Sequence, residues 1–435
     1  MMGGGLMSEV HKSGEPDNPS ARRAHVEFMR VWDEGYVADS ATYVAMHVQG
    51  VAVLSGGRLR TDDGRLDRVA ITEWVTTATS GLPYARLRLL RSPLGLTAPG
   101  WVPDESFDAA RHVRFSDVPV ACTPDALPEL IGWPSGPLDL DRPLWRLQFT
   151  ALDDGRVAMG LLMHHSSGDA LRTLKLLSAL TGNDPQVVPD GAPDPFAGVR
   201  APRSRELPWL ALRGWLDEGT GAGERWRDYW RKPLTRRVRR VGGRMLRPLR
   251  ESRTKGRSQP ARRASYFTVA SEEVQDHAAE LGATMNDLVV AASLRVGGRG
   301  RGVTSVRVPV MRRRTEDSRN RVADLRISDP GAASFAELVD SVRAQLRAPA
   351  EDSDGPTDEI GYATLVPWLS RPRYLLGAKL DQLIVLPAAS PGDSLSAFSL
   401  LYDGMLTVVA STPAATEIEP LMDRLREALT GALAH

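Results

Sequence analysis

A single cysteine, Cys122, stands in the 435 residues, so no internal disulfide can form and a reducing, cytoplasmic setting is expected. No apolar run reaches the roughly 18 residues of a membrane-spanning helix. The opening residues Met1 to Val10 lack a basic segment followed by an apolar core, so no secretion signal is expected, and residues 1–20 are expected to be disordered. Metal-ligand spacing is missing as well. The histidines are scattered, and the adjacent pair His164 and His165 cannot both face one ion from a strand, so no metal is expected. No Gly-x-x-x-x-Gly-Lys cradle for phosphates occurs, and Gly297-Gly298-Arg299-Gly300 reads as a loop. Net charge nearly cancels, at +1. With 42% hydrophobic and 25% charged residues, and a length beyond one ordinary core, the chain is expected to be globular with two domains.

What the chain does contain is Met159-Gly-Leu-Leu-Met-His164-His165-Ser166-Ser167-Gly168-Asp169-Ala170. The turn Asp153-Asp154-Gly155 precedes uncharged residues that start at Val157, which predicts a strand buried on both faces. Beyond the histidines, Leu171, Leu174, Leu177 and Leu180 fall at helical spacing, with Thr181-Gly182 as the stop. The pair therefore lies in a strand-to-helix turn. A histidine there can act as a general base near neutral pH, because an unperturbed pKa of about 6.5 leaves the imidazole neutral. His165 is the candidate base. Asp169, four positions on, could orient that ring or pin the loop through an arginine, and a short loop favours the pin. The plainer alternative is a core histidine pair with a helix-capping aspartate.

Charge is distributed unevenly. Arg225 to Arg263 holds sixteen Lys or Arg against Asp228 and Glu251, a net +14 that leaves −13 for the remainder. Cations alternate with aromatics in Arg225-Trp226-Arg227-Asp228-Tyr229-Trp230-Arg231, after Trp209, Leu210, Leu212 and Trp215. Such a segment suits an anionic membrane or lipid-droplet surface; the alternative is an Arg-rich, partly disordered linker. Basic tracts attract any phosphate, but a nucleic-acid partner is not expected. The prolines from Pro185 to Pro208 mark a crossover. The resulting division is residues 21–190, carrying the histidines, a Pro- and Arg-rich linker over 191–263, and a second half over 264–435. In that half, strands are expected at Ser265 to Ala270, Val303 to Val310, Gln382 to Leu386, Ala397 to Tyr402 and Met405 to Ala410. Helices are expected from Ser271, as its own cap, to Leu281, at Met285 to Val296, at Phe335 to Leu346 and at Ile418 to Ala432.

Ordered landmarks surround the histidines. Gly136-Pro137-Leu138-Asp139-Leu140-Asp141-Arg142-Pro143-Leu144-Trp145 lies upstream, and Met46-His47-Val48-Gln49-Gly50, Pro93 to Leu96, Trp101-Val102 through Phe107-Asp108, and His112-Val113-Arg114 lie earlier. Gly282-Ala283-Thr284-Met285-Asn286-Asp287, Val308-Pro309-Val310-Met311-Arg312-Arg313, Asn320-Arg321-Val322, and Val366-Pro367 with Pro372 to Ala378 follow. In this order the chain resembles the wax ester synthase/diacylglycerol acyltransferase family of the CoA-dependent, chloramphenicol acetyltransferase-like superfamily, whose core signature is His-His, three variable residues, Asp-Gly.

The resemblance implies an α/β fold of two chloramphenicol acetyltransferase-like lobes, each a mixed sheet flanked by helices, with an active-site channel between them. It implies transfer of a fatty acyl group from acyl-CoA, a co-substrate rather than a resident cofactor, to a long-chain alcohol or diacylglycerol. His165 would be the base, Asp169 would pair with Arg313 (Arg312 being a neighbour that could replace it), and His164 would be structural. Asn286 would be a polar channel or interface residue, with a helix N-cap as the equal alternative. Two departures stand out: Ala170 replaces the signature glycine, and the family's Ser-Asn-Val-Pro-Gly-Pro reads Thr364-Leu365-Val366-Pro367-Trp368-Leu369. If the glycine served a left-handed backbone, Ala170 would cost roughly 1 to 2 kcal/mol. Loss of the asparagine at Leu365 and added bulk at Trp368 predict a lost polar contact in the second domain. Acylation of a specialised metabolite, amide formation from a carrier-bound acyl group, and a non-catalytic membrane or partner-binding module are the alternative functions.

Overall fold

Val157 to His164, the uncharged run, is buried at every position and forms one of the inner strands of a sheet. The computed structural model describes residues 24–29, 37, 47–168, 170–217, 261–298, 304–311, 322–348, 358–387, 389–390 and 392–432. Arg225 to Pro260, most of the basic tract, and residues 1–20 lie outside these. The described strands are β1 (Glu27–Phe28), β2 (His47–Ser55), β3 (Leu87–Leu90), β4 (Gly100–Pro103), β5 (Val113–Val120), β6 (Trp145–Leu152), β7 (Val157–His164), β8 (Arg262–Ala270), β9 (Thr304–Met311), β10 (Val322–Ser328), β11 (Asp358–Leu369), β12 (Tyr374–Leu375), β13 (Ala378–Leu386), β14 (Ser396–Tyr402) and β15 (Met405–Pro413). The described α-helices are α1 (Arg68–Thr79), α2 (Leu127–Ile131), α3 (Ala170–Leu180), α4 (Leu207–Asp217), α5 (Ser271–Glu280), α6 (Met285–Gly297), α7 (Phe335–Arg347) and α8 (Glu419–Thr430). Among the described residues no helix is long and apolar enough to cross a membrane.

The first lobe is built on a six-stranded sheet of order β12-β13-β2-β7-β6-β5. Alternation along β7 divides its side chains between two apolar clusters, which is why the strand carries no charge on either face. Met159, Leu161 and Met163 join Ile71 and Trp74 of α1 and Leu177 and Leu180 of α3, while Ala158 and Leu162 join Leu127, Leu130 and Ile131 of α2. Each large side chain fully buried this way contributes on the order of 1.5–3 kcal/mol. Trp74 Nε1 donates to the Leu180 carbonyl at 2.8 Å, fixing α1 against the end of α3. Gly160 sets the packing distance on the other face. A Cβ there would lie 2.0 Å from the Leu130 carbonyl oxygen, so only glycine lets α2 sit directly on the sheet.

The second lobe is a six-stranded mixed sheet of order β10-β9-β11-β14-β15-β8, with β11 parallel to both neighbours and the other pairs antiparallel. Side chains from α5, α6, α7 and α8 cover one face. The opposite face meets the first lobe: Phe398, Leu400 and Tyr402 enter the cluster of α1 and α3, and Val409 enters that of α2. Tyr402-Asp403-Gly404-Met405 closes the β14–β15 hairpin with Asp403 at φ 47° and Gly404 at φ 77°, the two positive values that an I′ turn requires. Residues 264–435, expected as one lobe, do not stay in one sheet. β13 leaves the second lobe and pairs antiparallel with β2, placing Ile384 opposite Val51 and Leu386 opposite Gln49. The span expected as a linker holds α4, and its proline-rich start is strapped to the first lobe through Ala192 N–H to Ser80 Oγ at 3.0 Å and Arg86 to Asp194 at 2.8 Å.

Two capping expectations are corrected. Ser271 is the first residue of α5 and Ala270 its cap, with no side-chain bond. Asn286 does not cap α6. Thr284 does, its hydroxyl accepting from Asp287 N–H at 3.2 Å while Asp287 accepts from Thr284 N–H at 2.9 Å.

Candidate active site

β7 delivers the two histidines into unlike surroundings. His164, its last residue, is fully buried, and the chain then turns through a short 3-10 helix, His165–Ser167, before α3 begins at Ala170. His164 Nδ1 accepts the Ser166 backbone N–H at 3.1 Å and lies 2.7 Å from Ser166 Oγ. The ring therefore caps the turn that carries its neighbour. Burial, with His47 and His165 nearby, holds its pKa well below the ordinary histidine value, so the ring is neutral. A neutral imidazole that accepts at Nδ1 carries its proton on Nε2, and neither nitrogen is left to take another. His47, paired with His164 across β2 and β7, meets that ring edge to face at 5.1 Å. His165 is half-buried and belongs to the turn rather than the strand.

The upstream landmark is structural. Trp145, 2% exposed, donates from Nε1 to the Ala85 carbonyl at 2.8 Å and stacks on His112 at 4.5 Å. His112 Nδ1 donates to the Trp145 carbonyl at 2.9 Å, and its burial lowers its pKa. Arg146 Nη2 donates to the Gly132 and Gly136 carbonyls at 2.8 and 2.9 Å, holding the loop before β6.

Asp169, Arg312 and Arg313 lie outside the described residues. Ala170 is the first residue of α3, a right-handed helical position, so the left-handed strain considered for it does not arise. Asn286 Oδ1 accepts the Leu365 backbone N–H at 3.3 Å, which joins α6 to β11. Thr364, buried beside it and paired with Phe398, alternates onto the face of β11 that meets the first lobe. The departure at Trp368 adds a polar contact across the lobes. Its ring lies 5.2 Å from that of Tyr402 and its Nε1 donates to Ser178 Oγ of α3 at 3.3 Å. Arg373 reinforces the same end of α3, donating to the Ser178 carbonyl at 2.6 Å, to Thr181 Oγ1 at 3.1 Å and to the Thr181 carbonyl.

A cavity of about 490 Å³ opens between the lobes on the His164 face of the first sheet. Gln49, Trp133, Arg262, Ala264, Pro387 and Ser411 are among its walls, whereas His165 is not. Gln49 lies two residues from His47 on the same face, about 7 Å along β2. Sequence reasoning gave His47 and Gln49 no role and did not single out Trp133. The only available signal was strand alternation, which puts positions 47 and 49 on one face.

Two six-stranded mixed sheets joined by an exchanged strand, with a His-His turn at the end of an inner strand, define the two-lobed chloramphenicol acetyltransferase-like class. Solved structures with this fold include the wax ester synthase/diacylglycerol acyltransferase of Marinobacter aquaeolei VT8, with a TM-score of 0.58 and 17% identity over 93% of this chain and 98% of that one. The first condensation domain of the calcium-dependent antibiotic synthetase matches with the same TM-score and identity over 94% of this chain and 98% of that one. The model of the wax ester synthase/diacylglycerol acyltransferase catalytic domain matches residues 29–289, and the chain belongs to that family. A Mycobacterium tuberculosis protein (strain CDC 1551 / Oshkosh) with diacylglycerol O-acyltransferase as an inferred name is 33% identical over 228 residues, 48% of this chain and 46% of the relative. A second relative from the same strain, also named as a diacylglycerol O-acyltransferase, is 28% identical over 162 residues, 36% of this chain and 59% of the relative. The match thus spans about half the length of these curated relatives.

Proposed function

We propose that the protein is an O-acyltransferase that moves a fatty acyl group from acyl-CoA to the hydroxyl of a long-chain alcohol or diacylglycerol, with His165 as general base. His165 takes the hydroxyl proton as the alcohol oxygen attacks the thioester carbonyl. The tetrahedral intermediate then expels the thiolate, which recovers the proton from the imidazolium, leaving an ester and free CoA. One observation carries this reading: the two adjacent histidines are divided, His164 being a buried neutral cap and His165 standing half-buried on the turn that His164 holds. Asp169 pairs with Arg313 to pin the loop in this scheme. No acyl-enzyme is required. Cys122 lies outside the turn, 3.8 Å from the Tyr266 hydroxyl, and burial raises its thiol pKa, which opposes a nucleophilic role.

Contact with an anionic lipid surface through Arg225 to Arg263 belongs to the same proposal. Trp209 and Leu212, 61% and 46% exposed on α4 just ahead of that tract, support it. The test is mass spectrometry of products from mixed acyl-CoAs offered with long-chain alcohols, diacylglycerol, sterol and sugar acceptors. Ester formation that needs both substrates and disappears in His165→Ala is the expected result; unchanged turnover in that variant rejects the base.

A further inference from the structure

Arg172 stands where local preference argues against it. It lies in the first turn of α3, where the helix dipole favours an acid and disfavours a cation. Its side chain is half-buried and folds back over the turn that precedes the helix, and Nη1 donates to the Ser167 carbonyl at 3.0 Å. On the way the arm lies flat against Gly168. A Cβ on that glycine would stand 2.7 Å from Arg172 Cβ and 2.4 Å from its Cδ, so the contact needs a residue without a side chain. Gly168 N–H in turn donates to the His165 carbonyl at 3.3 Å, which closes the turn.

The guanidinium ends 5.6 Å from the centre of the Tyr84 ring, within cation–π range. Tyr84 lies on the short 3-10 helix Pro83–Ala85, whose Ala85 carbonyl accepts from Trp145 of β6, the neighbour of β7. Arg172 therefore ties the far side of the His-His turn back to the sheet that delivers it, while His164 holds the near side from within. Burial pushes the Tyr84 phenol up to about 12, so the platform beneath the guanidinium stays uncharged at neutral pH.

We propose that Arg172 is a positioning residue for His165: by clamping Ser167 and Gly168 against Tyr84 it fixes the direction in which the imidazole meets the acceptor hydroxyl. The inference rests on the acyl-transfer reading for the reaction it serves. Arg172 acts through the backbone of the turn, so its loss misaligns the base without removing it. A misplacement of about 1 Å costs on the order of 10²-fold in rate.

The experiment compares the wild-type chain, Arg172→Ala and Gly168→Ala in acyl transfer and in the rate at which diethyl pyrocarbonate modifies His165, read by peptide mass spectrometry. Arg172→Ala lowers kcat about 10- to 100-fold and leaves KM within about twofold. Millimolar guanidinium chloride, which can occupy the vacated place over Tyr84, restores much of the lost kcat, and an equal concentration of sodium chloride does not. Gly168→Ala keeps the cation but displaces its arm; with φ 163° its backbone is extended and accepts a side chain, so its loss of kcat reports the broken clamp. In both variants the loosened turn lets His165 react about threefold faster or more. Recovery in Arg172→Ala no greater with guanidinium than with sodium chloride marks a merely structural role and overturns the inference. Faster modification of His165 in a chain that transfers no acyl group refutes the enzymatic reading alone, and wild-type transfer with kcat within about twofold in both variants refutes the inference alone.

Discussion

Replacing each histidine of the pair by alanine separates stability from chemistry. His164→Ala removes a fully buried ring and leaves the Ser166 N–H and hydroxyl, also fully buried, without their acceptor. An abandoned buried donor costs about 1–3 kcal/mol, and the vacated volume adds to it as in other large-to-small core changes, giving about 3–5 kcal/mol in all. At a urea slope of about 3 kcal/mol/M this lowers the unfolding midpoint by roughly 1–1.7 M. His165→Ala removes a half-buried ring and costs about 0.5–1 kcal/mol, while CoA release falls about 10²- to 10⁴-fold with the loss of the proposed base. His164→Asn serves as the internal control, because its amide oxygen can take up the Ser166 N–H, and it recovers about 1 kcal/mol of the loss. Urea unfolding and single-turnover CoA release on the three variants give the answer. If His164→Ala retains wild-type stability and loses turnover while His165→Ala keeps it, the division of labour proposed for the pair is wrong.

The pH dependence of stability follows from the buried neutral rings of His112 and His164, whose pKa values lie below the ordinary 6.5. Above about pH 6.5 both are neutral in the folded and unfolded chain; below it the unfolded chain takes up protons that the fold refuses, so stability falls by up to about 1.4 kcal/mol per pH unit for each ring until its folded pKa is reached. Unfolding free energies between pH 7.5 and 5 check this, and His164→Asn should flatten the slope. Gly160→Ala forces a methyl into the Leu130 carbonyl and should cost about 1–3 kcal/mol or more; a variant with wild-type stability would show that α2 does not press on β7. Trp368→Phe keeps the ring on Tyr402 and loses one bond to Ser178, a cost of about 0.5–1.5 kcal/mol, whereas Arg373→Ala strips charged donors from the end of α3 and should cost about 1.5–3 kcal/mol. Equal costs by thermal or urea unfolding would contradict that ranking.

Periodicity made much of the architecture legible. The uncharged run before His164 read as a strand buried on both faces, as observed, and the Leu174, Leu177, Leu180 spacing marked α3 to within a residue of its observed end. Local capping was legible too, though misread: Thr284 followed three residues on by Asp287 is a capping-box pattern, and attention to Asn286 passed over it. What periodicity cannot encode is the choice of partner. The apolar run Leu383-Ile384-Val385 marks β13 as a buried strand, but whether it lies beside β14 or β2 depends on contacts across the fold, and it pairs with β2. The hydrogen bond from Trp133 Nε1 to Gln49 Oε1 joins residues 84 positions apart, so no short-range pattern predicts it.

The departures from the family pattern also read differently in three dimensions. Leu365 in place of asparagine suggested a missing polar contact, but the backbone N–H of that residue is met by Asn286 from α6, so β11 and α6 remain hydrogen-bonded without an amide side chain at 365. Trp368 in place of glycine suggested added bulk and a lost polar contact; its ring lies beside that of Tyr402 and its indole N–H makes a polar contact to α3. Arg373 grips the same helix end, and β12 and β13 carry the chain into the first sheet directly after it. The helix that follows the His-His turn is thus held at its far end by the second lobe, while His164 holds the turn at its near end. Relative movement of the lobes would pull on α3 before it reached the His165 turn, so Trp368 and Arg373 tie that turn to the second lobe through the helix.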